Sequence, residues 1–128
     1  KLNLPLYFVG RLFDDESIAL LYSAVDVVIV TSKMESFGQI ASEAQSCGTP
    51  VVAFDSTGLK DIVQHKETGY LATPYSSTSL IKGIKWILDN KERQIKLSKN
   101  ARKRATSIWS NEEISKKYKK IYQEILNK

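Results

Sequence analysis

The run Val25-Asp26-Val27-Val28-Ile29-Val30 constrains this chain more than any other feature. It is β-branched apart from one acid, and it lacks the apolar–polar alternation of a half-exposed strand. Such a run predicts a strand covered on both faces, as in parallel sheets. Parallel neighbours cannot be joined by a tight hairpin, so the connections should be helices. The flanks agree. Asp14-Asp15-Glu16-Ser17 supplies an N-cap and first-turn acids before Ile18, Leu21 and Tyr22 at helical spacing. Gln39 to Cys47 reads as a helix, with Ile40, Ala41 and Ala44 on one side and Gly48 as its C-cap. Pro50 to Phe54 is a further strand, its proline at the tolerated first position, and Gly69 to Ala72 is another. Leu4 to Val9, closed by Gly10, is expected to be a buried strand as well. The expectation is an α/β domain with a parallel sheet of about four strands.

The remainder, 78–128, is expected to be helical. Leu80, Ile81, Ile84, Ile87 and Leu88 form one stripe, and Leu97, Ala101, Ala105 and Ile108 a second. Ile114, Tyr118, Ile121, Tyr122 and Ile125 form a third, which is expected to be buried. With 128 residues, 42% of them hydrophobic, the chain 1–128 forms one domain. A single cysteine, Cys47, excludes an internal disulfide framework and a cysteine-based zinc site. A single histidine, His65, excludes clustered imidazole ligands and reads as a loop residue. Trp86 and Trp109 read as packing residues. No apolar run reaches the ~20 residues of a membrane span, and Lys1-Leu2-Asn3 does not open a signal peptide, so a cytoplasmic location is expected. Charge is uneven. Residues 1–81 carry five Lys/Arg against nine Asp/Glu, and residues 82–128 carry fourteen against five. A basic third of this kind fits either solvated helix faces or an anionic partner.

The segment richest in chemistry is Glu35-Ser36-Phe37-Gly38-Gln39-Ile40-Ala41-Ser42-Glu43. It follows a strand and opens a helix, the place where open α/β sheets bind ligands. The N–H groups of Gly38, Gln39 and Ile40 would face such a ligand with the positive helix end behind them, and Gly38 admits an anion close to the backbone. The two glutamates are eight residues apart, about two helical turns, so they suit opposite ends of one ligand. Spacing alone leaves a surface loop with a solvated helical acid as an equal alternative.

Glu35-Ser36-Phe37-Gly38 to Glu43-Ala44, followed by Cys47-Gly48-Thr49-Pro50-Val51-Val52-Ala53, resembles glycosyltransferase family 4. Phe8-Val9-Gly10, Leu21-Tyr22, Ala24 to Ser32, Thr57-Gly58, Asp61-Ile62-Val63 and Thr68-Gly69-Tyr70-Leu71 extend the likeness. The resemblance implies a Rossmann-like three-layer sandwich forming part of the C-terminal, nucleotide-sugar-binding domain of a retaining GT-B enzyme. The N-terminal acceptor domain is absent from this sequence. By the same resemblance Glu35 is the catalytic-centre glutamate at the transferred sugar. Ser36, Phe37, Gly38, Gln39 and Ile40 bind the donor's sugar and diphosphate. Glu43 binds the ribose hydroxyls, and Thr57 and Gly58 complete the donor site. The implied partners are a nucleotide sugar and a glycan or lipid-linked acceptor, in polysaccharide biosynthesis, with no nucleic acid, metal or cofactor.

Three positions depart from the family's habit: Thr31 stands for a usual Pro, Gln45 for Met, and Thr57 for the first of two glycines. The Arg and Lys that grip the diphosphate in that family lie upstream of this sequence. With the upstream strands missing, Leu4–Val9 is expected to pair directly with Val25–Val30, or the open edge to pair with a second copy. Lys116, Lys117, Lys119 and Lys120 flank Tyr118 and suit peripheral contact with the inner face of an anionic membrane. The rival reading is a non-catalytic anion-binding α/β module acting through these basic helices. The six glycines contain no G-x-G, which argues against a nicotinamide module.

Overall fold

A computed structural model describes residues 5–127. Three strands, β1 (Val28–Val30), β2 (Val51–Phe54) and β3 (Gly69–Ala72), form a parallel sheet in the order β1-β2-β3. The register sets Val30 beside Ala53 and Ala53 beside Leu71. The described residues also form six helices: α1 (Asp15–Ala24), α2 (Gln39–Ser46), α3 (Leu59–Ile62), α4 (Ser77–Leu88), α5 (Lys91–Trp109) and α6 (Asn111–Leu126), the last packed on α5 rather than on the sheet.

Strand alternation divides the core into two layers. Val30, Val51 and Ala53 pack with Ala41 and Ala44 of α2 and with Leu59, Ile62 and Val63 around α3. Val52, Phe54, Tyr70 and Ala72 point the other way and pack with Ile87 of α4 and Leu97 of α5. This is the expected three-layer α/β sandwich. Every residue of β2 is buried, as its unbroken apolar run requires of a central parallel strand. Trp109 packs on the first layer and Trp86 on the second, as packing residues should.

The sheet holds three strands among the described residues rather than four. Leu4 lies outside the described residues, and Pro5 to Gly10 form no strand. Tyr7 is 87% and Phe8 94% exposed, and the segment pairs neither with β1 nor with anything else described. Apolar composition does not make a strand; a ladder partner does, because extended backbone leaves its N–H and C=O groups unmet. β1 also begins at Val28 rather than Val25, where pairing with Val51 starts. The third helical stripe is the other correction. Tyr118, Ile121, Tyr122 and Ile125 are 50–62% exposed, and α6 contains no buried residue. Its periodicity is helical as expected, but no described element covers it.

Polar groups position the layers. Gln45, fully buried, donates from Nε2 to Thr68 Oγ1 at 3.1 Å, and that oxygen also accepts the Gln64 N–H at 3.0 Å. Gln94 Nε2 donates to Asp26 Oδ1 at 2.7 Å, tying α5 to the chain just before β1. His65 is a loop residue, as expected, and its Nδ1 accepts the Leu71 N–H at 3.0 Å.

Candidate functional site

The loops after β1 and β2 meet at the carboxyl end of the sheet. The Glu35 N–H donates to Thr57 Oγ1 at 3.0 Å, and the Gly58 N–H donates to the Glu35 carbonyl at 2.9 Å. Thr57 adopts a left-handed backbone (φ 44°), which turns its hydroxyl toward the neighbouring loop. A Cβ on Gly58 would stand 2.8 Å from the Ser36 carbonyl oxygen, so only glycine permits this approach. Glu35, Ser36, Thr57 and Gly58 therefore form one unit, with the Glu35 side chain half-buried. A third loop joins them through Tyr75, whose ring lies 5.8 Å from Lys33 Nζ.

The chain enters α2 through Gly38, an N-cap with φ 93° and no capping side chain. Its buried position brings Leu59 Cδ2 within 3.1 Å of where a Cβ would sit. The N–H groups at the start of α2, on Gln39, Ile40 and Ala41, have no partner within the helix and carry its positive dipole end. Gln39 and Ile40 are exposed, so this end is open to a ligand. The Phe37 ring turns aside and packs edge-on against Trp109, with centroids 6.1 Å apart.

Glu43 faces a different opening. A cleft of about 670 Å³ lies between α1, α2 and the α5–α6 junction, lined by Tyr22, Gln39, Ser42, Glu43, Trp109 and Asn111 among others. The Tyr22 hydroxyl donates to Glu43 Oε2 at 3.3 Å. Burial, and then the Glu43 charge, raise the phenol above its usual pKa, so it remains a proton donor. Glu35 and Thr57 do not line this cleft. The two glutamates are thus held by separate surroundings, and Gln39 at the helix start lines the one that holds Glu43. The sequence-predicted residues Glu35 and Glu43 lie at the loop clamp and in the cleft respectively, with the Gly38 turn between them. Sequence reading assigned Tyr22 only to an apolar helix stripe, because nothing local marks a hydroxyl whose partner lies 21 residues away.

Two loops clamped at the carboxyl end of a parallel sheet, an uncapped helix start and an acid-bearing cleft place these residues where open α/β domains as a class bind ligands. The chain belongs to the glycosyl transferases group 1 family, which residues 2–104 match. It is 28% identical over 119 residues to the N-acetyl-alpha-D-glucosaminyl L-malate synthase of Bacillus anthracis, covering 93% of this chain and 30% of that protein. The sucrose-phosphate synthase of Thermosynechococcus elongatus superposes with a TM-score of 0.85 at 36% identity, over 94% of this chain and 30% of that one. Anabaena HepE (Alr3699), solved in complex with UDP-glucose, superposes at 0.72 and 30% identity, over 80% of this chain and 30% of that one. The chain thus spans about 30% of the length of these relatives. The fold is that of the C-terminal part of GT-B glycosyltransferases, and the relatives transfer glycosyl groups. Among the described residues, no helix is long and apolar enough to cross a membrane.

Proposed function

We propose that this chain is the nucleotide-sugar-binding part of a retaining family 4 glycosyltransferase, acting with an acceptor-binding domain that the sequence does not include. The observation that carries the reading is the clamp of Glu35 onto Thr57 and Gly58 beside the uncapped start of α2. In this reading the Glu35 carboxylate meets the transferred sugar. The amides from Phe37 to Ile40 face the diphosphate, and Thr57 and Gly58 shape the sugar's side of the site. Glu43 accepts the ribose hydroxyls. The helix-start field and basic residues outside this sequence stabilise the leaving diphosphate, so the reaction needs neither a metal nor a cofactor. The acceptor is a glycan or lipid-linked sugar in polysaccharide assembly.

A cytoplasmic enzyme meeting its acceptor at the inner membrane face accounts for the exposed apolar stripe of α6 with Lys116, Lys117, Lys119 and Lys120 around it. The HepE complex with UDP-glucose supports the donor class by analogy. A thermal-shift screen of nucleotide sugars against the full-length protein tests the reading. One nucleotide sugar raising Tm, with transfer unaffected by chelator, is the expected result. Absence of any shift, or activity restored only by added metal, argues against it.

A further inference from the structure

The cleft that holds Glu43 also holds the Tyr22 hydroxyl, which donates to that carboxylate. Among the described residues no lysine or arginine lines the cleft, while Asp15 and Glu43 both do. Around Glu43 the charged side chains are acidic, which suits a neutral, hydroxyl-bearing part of a ligand better than a diphosphate. Glu43 stands in the second turn of α2 on a side chain with three rotatable bonds, and ordering it on binding carries an entropic cost. Among the described residues its carboxylate takes one hydrogen bond, the 3.3 Å bond from the Tyr22 hydroxyl to Oε2. Ser42 and Ser46 also line the cleft, but their hydroxyls donate back to the carbonyls of Gln39 and Ser42 at 2.9 and 2.8 Å. Tyr22 is itself anchored. Its carbonyl accepts from Thr49 Oγ1 at 2.6 Å, and Thr49 is buried just before β2. Its ring packs against the core layer of α2 and β1. The phenol is therefore a fixed donor and the glutamate a movable acceptor.

We infer that Tyr22 is a positioning residue for the donor: its hydroxyl holds Glu43 Oε2, so that the remaining carboxylate lone pairs face the two ribose hydroxyls of a nucleotide. This rests on the assignment of Glu43 to ribose under the proposed function. A preset carboxylate binds a vicinal diol without first losing its rotamer freedom, and the bond it gives the diol is of the stronger, charge-assisted class.

The test is calorimetric binding of UDP and of 2′,3′-dideoxy-UDP to the full-length protein and to its Tyr22→Phe variant. The natural protein should prefer UDP. Tyr22→Phe should weaken UDP binding by about three- to tenfold and leave dideoxy-UDP binding unchanged, since the ligand keeps its own bonds to Glu43 and loses only the carboxylate's preset orientation. Equal weakening of both ligands, or an undiminished preference for UDP, overturns the positioning role while leaving Glu43 at the ribose. Equal binding of both ligands by the natural protein removes the ribose assignment and this inference with it. Should Tyr22→Phe not fold, 3-fluorotyrosine introduced at position 22 keeps the ring's shape and strengthens the donor. The UDP-to-dideoxy ratio should then shift, and an unchanged ratio overturns the inference.

Discussion

Gly58 and Glu35 meet backbone to backbone across two loops. The Gly58 N–H donates to the Glu35 carbonyl at 2.9 Å, and a Cβ at position 58 would lie 2.9 Å from that same oxygen. The position of one candidate site residue thus depends on the absence of a side chain at another. Gly58→Ala should push the Glu35 loop away and cost about 1–3 kcal/mol, the usual range for an overpacked contact. A urea midpoint and a donor-turnover assay on the full-length protein check this. Both should fall, turnover by about tenfold or more if the loop shift exceeds a fraction of an ångström. An alanine variant that matches the natural protein in both would show that the loops separate freely.

Glu43→Ala should remove roughly 1.5–3 kcal/mol of nucleotide affinity, the range for a hydrogen bond to a charged group. The fold should survive, because Glu43 is only partly buried and its one partner, Tyr22, keeps its other packing. Isothermal calorimetry with a nucleotide reads the loss directly. Full affinity in the variant would take Glu43 out of the site.

Glu35→Gln should act on turnover and leave nucleotide affinity nearly intact. Its backbone holds the Thr57–Gly58 clamp and is unchanged by the substitution, while the charge at the transferred sugar is lost. Steady-state rates set beside binding constants separate the two effects. A variant with the natural rate would move the reaction centre elsewhere.

Two substitutions in the buried Gln45–Thr68 pair should have opposite outcomes. Thr68→Val removes the acceptor used by both Gln45 Nε2 and the Gln64 N–H, and should cost about 1–3 kcal/mol. Gln45→Met gives up the Nε2 donation to Thr68, whose oxygen still accepts the Gln64 N–H, but it also removes a buried side-chain oxygen that has no partner among the described residues, and it keeps similar volume. It should be neutral or stabilising by up to about 1 kcal/mol. Urea unfolding of both variants tests the pair, and a destabilised methionine variant would mean that the amide is better satisfied than its surroundings indicate.

Stability should decline on mild acidification through His65. Burial, and then the charge of Lys66, hold this imidazole below its usual value of 6.5, and its Nδ1 must stay unprotonated to accept the Leu71 N–H. The unfolded chain therefore binds the proton more readily than the native one. The contribution is fully present above the unfolded-state value and is lost as pH falls through the lower native one. Exposure of the ring keeps the effect small. Urea midpoints at pH 7.5 and 5.5 should differ less in His65→Asn than in the natural chain, and equal slopes would assign the pH dependence to other groups.

The sequence by itself determined the strand–helix alternation, the β2 and β3 strands and the turn into α2. Those features are local. A short run buried on both faces, a glycine at the start of a helix and a 3.6-residue stripe can each be read without knowing what lies opposite. Tertiary structure alone decided the rest. Leu6 to Val9 and Val51 to Phe54 are similarly apolar, yet only the second finds strands on both sides, so only the second is a strand. The α6 stripe has the periodicity of the α5 stripe, whose Leu97, Ala101 and Ala105 are buried, but no described surface meets it. The pairing of Glu35 with Thr57 spans 22 residues and that of Tyr22 with Glu43 spans 21. Hydrogen bonds of that reach leave no periodic trace in a sequence, because either residue is equally compatible with solvent until the sheet brings its partner within 3–3.5 Å.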